Sequence, residues 1–142
     1  MFNALTHSMK IFFKFLLLML LVLVTRVQAQ EPATASVPDI KTYYGTASYY
    51  ADKFEGRKTA NGDLYDPENL TAACNVLPLG TWIKVTNLKN QKSVLVRTND
   101  RLHPKMNRLV DLSKAAAKIL GYANSGLTKV KVEVLGRKKP QD

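Results

Sequence analysis

Three stretches of the chain set its pattern. In "TKVKVEVL" (residues 128–135) Val130, Val132 and Val134 fall on one side and Lys129, Lys131 and Glu133 on the other. A period of two is that of a strand with one dry face. "TWIKVTN" (81–87) and "SVLVRTN" (93–99) are apolar, β-branched runs separated by "LKNQK", and they read as a hairpin with Asn90 at its turn. "TASYY" (46–50) opens the same region as a further strand. The period lengthens in "SKAAAKIL" (113–120). It predicts a short helix with Ser113 as cap, Ala116, Ile119 and Leu120 facing inward, and Gly121 as the stop. Short strands with one or two small helices predict a mainly β fold that closes into a barrel, because closure removes exposed sheet edges.

Outside that unit the pattern changes. Lys10 and Lys14 lie in or beside an apolar run over 11–24, which is followed by "RVQAQ" with Ala29 before Gln30. A positive start, a short apolar stretch and a small residue at the cut are the marks of a secretory peptide. The run falls short of the ~20 residues that span a bilayer, so residues 1–29 are expected to be removed. No cysteine lies near the junction to take a lipid. Residues 30–42 begin "QEPATASVPDIK" and read as a flexible linker, residues 43–136 as the folded domain, and 137–142 as a polar tail.

Charge and cysteine content narrow the chemistry. The 142-residue chain carries net charge +10, and the leader takes three positive charges and no acid from it, leaving +7. A basic exported domain suits an anionic polymer: cell-wall glycan with acidic peptides, a membrane surface or nucleic acid. One cysteine, Cys74, allows no internal disulfide. His103 is the sole histidine beyond the leader and reads as a surface-loop residue. No histidine-based metal cluster or nucleophilic triad is therefore expected, and no cofactor. The carboxylates are Asp63 and Asp66 in the first long loop, Asp100 at a strand end and Asp111 before the helix. Asp111 reads as a helix-terminus charge. Asp100 reads either as a surface ion pair with Arg101 or as a general acid at the lip of the barrel.

The stretches "GTASYYADKFEGRKTANGDLYD", "LTAACNVLPLGTWIKVTNL", "VLVRTNDR" and "RLVDLSKAAAKILGY" together resemble the rare lipoprotein A family over residues 45–135. Its members are six-stranded double-psi β-barrels related to expansins and to some lytic transglycosylases. The resemblance implies a peptidoglycan lytic transglycosylase of the periplasm; with no cysteine at the junction it is expected to lack a lipid anchor, and a monomer without metal or cofactor is expected. Such an enzyme cuts the β-1,4 bond after N-acetylmuramic acid and leaves 1,6-anhydro ends. Its partners would be peptidoglycan strands and division-site or envelope proteins, not nucleic acid. Carried over residue by residue, Asp100 is the first candidate for catalytic acid and Asp63 the second. Tyr49, Tyr50, Thr59, Asn61, Cys74, Asn99 and Arg101 match groove-lining positions. The family pattern has "ANGE" and "LTAAH" where this chain has Asp63 and Cys74, and "NDRGPF" where it has "NDRLHPKMNR". Cys74 either packs as a small hydrophobe in a strand or faces the sugar groove. An expansin-like binding module and a structural septal protein are the competing readings.

Overall fold

The computed structural model describes residues 9–12, 14 and 39–141. Contacts divide the chain into a first unit, Met1–Val37, and a second, Pro38–Asp142. In the first unit residues 9–12 and 14 are helical. No helix among the described residues is long and apolar enough to cross a membrane. The expected leader junction at Ala29 and residues 30–38 of the linker lie outside the described residues, and the linker's last residue, Thr42, begins a strand.

The second unit holds six strands: β1 (Thr42–Tyr49), β2 (Thr71–Cys74), β3 (Trp82–Asn87), β4 (Ser93–Asp100), β5 (Val110–Leu112) and β6 (Thr128–Gly136). They close into a barrel in the order β1-β5-β2-β4-β3-β6. The β1/β5 and β2/β4 pairs are parallel, and the other four are antiparallel. This is the mainly β, six-stranded closed barrel that the pattern and the resemblance predicted. The strong alternators are its longest staves. Ile83, Val85, Val94, Val96, Val130 and Val132 point inward and are buried, each contributing about 1.5–3 kcal/mol by leaving water. Ala47, Ala72, Cys74, Val110 and Leu112 complete the interior.

A 3-10 turn (Asp52–Phe54) and one helix, α1 (Lys114–Leu120), account for the described helical elements of this unit. Ser113 caps α1 by accepting from the amide of Ala116, and Gly121 ends it at φ 74°, a left-handed conformation that glycine adopts without strain. The inward stripe is Ala116, Ala117 and Leu120. Ile119, expected to face inward, is 46% exposed, because a seven-residue helix lying on a barrel buries a narrower stripe than an amphipathic period suggests. The β3–β4 hairpin supports the far end of α1: the side-chain Nδ2 groups of Asn87 and Asn90 both donate to the carbonyl of Leu120, each at 2.9 Å. Asn90 sits in the turn as expected, while Gln91 takes the positive φ of 62°.

Candidate functional site

The site follows from one row of residues across four strands. Ser48 of β1 pairs with Asp111 of β5, Asp111 with Ala73 of β2, and Ala73 with Asp100 of β4. Register partners share a face of a sheet. Asp111 and Asp100 therefore flank Ala73 on one side of the barrel, their backbones two strand spacings or roughly 10 Å apart. Ala73, itself fully buried, offers only a methyl group between them.

Asp100 reaches this face because β4 is irregular. Val94, Val96 and Thr98 are buried on alternate positions, and simple alternation would send residue 100 inward as well. Between Ala72 and Ala73 the register shifts, so that Thr98 pairs with Ala72 but Asp100 with Ala73. Asn99 is the extra residue, and the bulge turns Asp100 outward; bulges re-aim side chains in this way. Asn99 itself is buried, and its carbonyl accepts from the amide of Asn61 at 3.1 Å.

The "TANGD" loop (59–63) explains two hydrogen bonds at the site. The Thr59 amide and hydroxyl both donate to the carbonyl of Asp63, at 2.8 and 2.9 Å. The Asn61 side chain accepts from the Thr59 hydroxyl and the Asp63 amide, and its own amide group donates to the Asp63 carboxylate at 2.7 Å. Gly62 turns the chain at φ 97°. So folded, the loop presents the amide of Ala60 to Asp100 Oδ1 at 2.9 Å, beside the amide of Arg101 at 2.8 Å. The other oxygen, Oδ2, accepts from the hydroxyl of Tyr50 at 2.7 Å. Tyr50 stacks on Tyr65 with centroids 4.5 Å apart and meets Phe54 edge-on at 5.9 Å. Burial first, and then the hydrogen bond and charge of Asp100, push the Tyr50 phenol far above its ordinary range, so it stays a neutral hydroxyl.

Asp111 is a correction to the sequence reading. It lies inside β5 rather than at the helix terminus, which Ser113 caps. Its Oδ1 accepts from the Ser48 hydroxyl and lies 3.1 Å from Arg108 Nε as an ion-pair contact, while Arg108 Nη2 donates to Oδ2 at 3.3 Å. "VDL" is a short alternating stretch, but the residue that gives Asp111 its meaning, Ser48, is 63 positions away.

Both carboxylates line a groove of about 590 Å³. Of the residues expected there, Tyr49, Tyr50, Thr59, Asp100 and Arg101 line it; Asn61, Asp63, Cys74 and Asn99 do not. Tyr49 is anchored by its hydroxyl to the carbonyl of Ala123 at 2.8 Å. Arg101 Nη1 donates to the carbonyls of Cys74 and Leu77, bracing the chain after β2 rather than pairing with Asp100. Asp63 is exposed with its carboxylate turned to Asn61. Cys74 has 0% exposure and belongs to the core, so its placement as a groove contact is corrected. On β2, Ala72 and Cys74 point inward and Ala73 outward, and burial raises the thiol's pKa. His103 lies on the groove wall, exposed. No three His, Cys, Asp or Glu side chains gather to hold a metal ion among the described residues.

Residues 42–132 match the family model described as lytic transglycolase. The chain is 52% identical over 104 residues to the endolytic peptidoglycan transglycosylase RlpA of Pseudomonas aeruginosa, covering 66% of this chain and 30% of that protein. It is 50% identical over 92 residues to the protein of the same name from Neisseria meningitidis, covering 65% of this chain and 38% of that one. The chain thus spans well under half the length of these relatives. Among solved structures, an expansin of Clavibacter michiganensis superposes with TM-score 0.55 at 22% identity, over 72% of this chain and 53% of that one. A papain inhibitor from Streptomyces superposes equally well, TM-score 0.55 at 20% identity, over 66% of this chain and 94% of that one. One barrel thus serves different ends, and function has to be argued from the groove.

Proposed function

Since this chain belongs to the lytic transglycolase family of double-psi β-barrels, we propose that it cleaves peptidoglycan as a lytic transglycosylase with Asp100 as its acid and base. The observation that carries the reading is the unequal use of the two Asp100 oxygens. Oδ1 faces two backbone amides, which can only donate, so a proton on that atom would oppose them. Oδ2 faces a hydroxyl, which can donate or accept. The transferable proton therefore belongs on Oδ2, aligned by Tyr50. Delivered to the glycosidic oxygen, it lets the bond from C1 of N-acetylmuramic acid break. The same sugar's 6-hydroxyl attacks C1, and its proton returns to Oδ2, closing the 1,6-anhydro ring without water. One group acts twice, where ordinary glycosidases use two carboxylates. Asp111, held by Ser48 and Arg108 across Ala73, presents a negative charge to the positive charge that develops at C1. The same reading puts the domain in the periplasm after cleavage near Ala29, supported by the leader-like pattern of residues 10–29.

Incubation of the purified domain with glycan strands, read by mass spectrometry, tests this. Wild type should yield anhydro ends. Asp100→Asn, which keeps shape but not the proton, should lower their formation by about 10²–10⁴-fold with binding retained. Equal product from Asp100→Asn would refute the assignment. The competing expansin-like reading draws support from Asp63 and Cys74 lying off the groove lining. Retention on glycan with no anhydro product from wild type would put that reading in its place.

A further inference from the structure

The groove is lined by Lys53, Arg57 and Lys58 of the segment after β1 and by Arg101, His103 and Arg108 of the segment between β4 and β5. These cations differ in what they face. Arg108 is paired with Asp111, and Arg101 reaches two carbonyls. Lys53, Arg57 and Lys58 are exposed, and none lies within 4.0 Å of a carboxylate among the described residues. Two of them are nevertheless placed: Lys53 Nζ and the Arg57 guanidinium each lie over the Phe54 ring, 5.4 and 5.3 Å from its centroid. Phe54 is half-buried and meets Tyr50, the residue that aligns the Asp100 proton. Lys53 and Arg57 are thus joined through two aromatic rings, Phe54 and Tyr50, to Asp100, with Lys58 following Arg57 on the same groove. Exposed lysines scattered over a surface need no partner; three adjacent cations on the lip of an active groove, two of them ordered on one ring, are a receptor for anions.

We propose that the rim of Lys53, Arg57 and Lys58 binds carboxylates carried by the substrate, so that the groove selects anionic over neutral amino-sugar glycan. The inference rests on the reading that the groove takes glycan. Neutral β-1,4 amino-sugar chains offer nothing to this rim. Muramyl units offer a carboxylate from two sources, the lactyl group when the peptide has been removed and the stem peptide when it has not. Either ligand supplies the same chemistry a few ångströms from the scissile bond. Three exposed charge contacts, each contributing about two- to fivefold, amount to about tenfold or more in affinity.

The test measures binding of the folded domain at fixed ionic strength to four glycans: peptide-bearing strands, amidase-stripped strands with free lactyl carboxylates, the same strands with all carboxylates amidated, and a chitin oligosaccharide. Wild type should bind at least one carboxylate-bearing form about tenfold more tightly than the amidated form and chitin. Preference between the first two identifies the source. The triple variant Lys53→Gln, Arg57→Gln, Lys58→Gln should lose that advantage and keep neutral binding. A control triple variant, Lys84→Gln, Lys89→Gln, Lys92→Gln, removes the same charge from residues outside the groove lining and should keep the advantage. Equal wild-type affinity for charged and amidated strands overturns the inference while leaving the glycan reading standing, as does an equal loss in the control variant. Binding to none of the four overturns the glycan reading itself.

Discussion

Restoring the family residue at position 74 should harm this protein rather than improve it. Cys74 has no exposed surface, points into the barrel beside Ala72 and pairs in register with Val110. Cys74→His inserts a five-membered ring where a single sulfur packs. Overfilling a close-packed interior costs about 1–3 kcal/mol. The ring also brings at least one polar N–H into an apolar cluster, and leaving it unpaired costs about 1–3 kcal/mol more. The sum, about 2–6 kcal/mol, is a large share of the stability of a domain this small. Cys74→Ala removes the sulfur alone and should cost about 1–2 kcal/mol. Urea unfolding of the three proteins gives the ranking wild type, alanine, histidine. At about 4–8 °C per kcal/mol for a domain near this size, the alanine variant should melt several degrees below wild type and the histidine variant further still. Anhydro-end formation per folded molecule should be unchanged in the alanine variant. A histidine variant that keeps the wild-type midpoint and raises turnover would refute the reasoning, because it would place side chain 74 in the groove.

Asp111→Asn should lower turnover by about 10²–10³-fold and destabilise by about 1–2 kcal/mol by leaving the partly buried Arg108 without its counter-charge; unchanged kinetics would remove Asp111 from the mechanism. Stability should fall as pH rises above about 10. Burial, then the charges of Asp111 and Tyr49, hold the Tyr122 phenol above its ordinary value near 10, so the unfolded chain releases that proton first and gains from alkali. The contribution is complete below pH 10 and is lost above it, at up to about 1.4 kcal/mol per pH unit. Tyr50 and Tyr65, also raised by burial, feed the same limb, so Tyr122→Phe should lessen its slope in urea midpoints taken from pH 8 to 11.5, and an equally steep limb in that variant would refute the assignment.

The parts of the barrel legible in the sequence are those whose side chains report their surroundings. β3, β4 and β6 carry branched residues on one face, and burial of that face enforces the period of two. α1 announces itself by a cap and a stop that are chemically specific, Ser113 and Gly121. β5 is hidden by brevity, since three residues, "VDL", cannot establish a period. β2 is four residues of "TAAC", small side chains that fit inside or outside a barrel equally well. The site is legible in the same uneven way. Asp100 could be singled out because it ends a strong strand. Asp111 was misread because its local neighbours, a strand too short to see and a helix easy to see, favoured the helix, whereas its partner Ser48 stands 63 positions earlier in the chain. The bulge at Asn99 left no mark on the hydrophobic pattern. It was needed to know which way Asp100 points.

That bulge also accounts for the loop that made the "TANGD" stretch look like a binding motif. A strand that breaks register leaves its neighbours' backbone groups short of partners. Here the carbonyl of the extra residue, Asn99, is met by the amide of Asn61. The same contact brings the amide of Ala60 to Asp100 Oδ1. Thr59, Asn61 and Asp63 are engaged chiefly with one another. Their polarity maintains the turn. Asp63 therefore supports the turn through its carbonyl and through a carboxylate held by Asn61, and a residue one methylene longer would reach Asn61 from a different position. The shortened side chain at 63 and the small core residue at 74 share a consequence. Neither places a titratable group beside Ala73, and the proposed acid–base chemistry is therefore assigned to Asp100, with Tyr50 and Asp111 on the same groove.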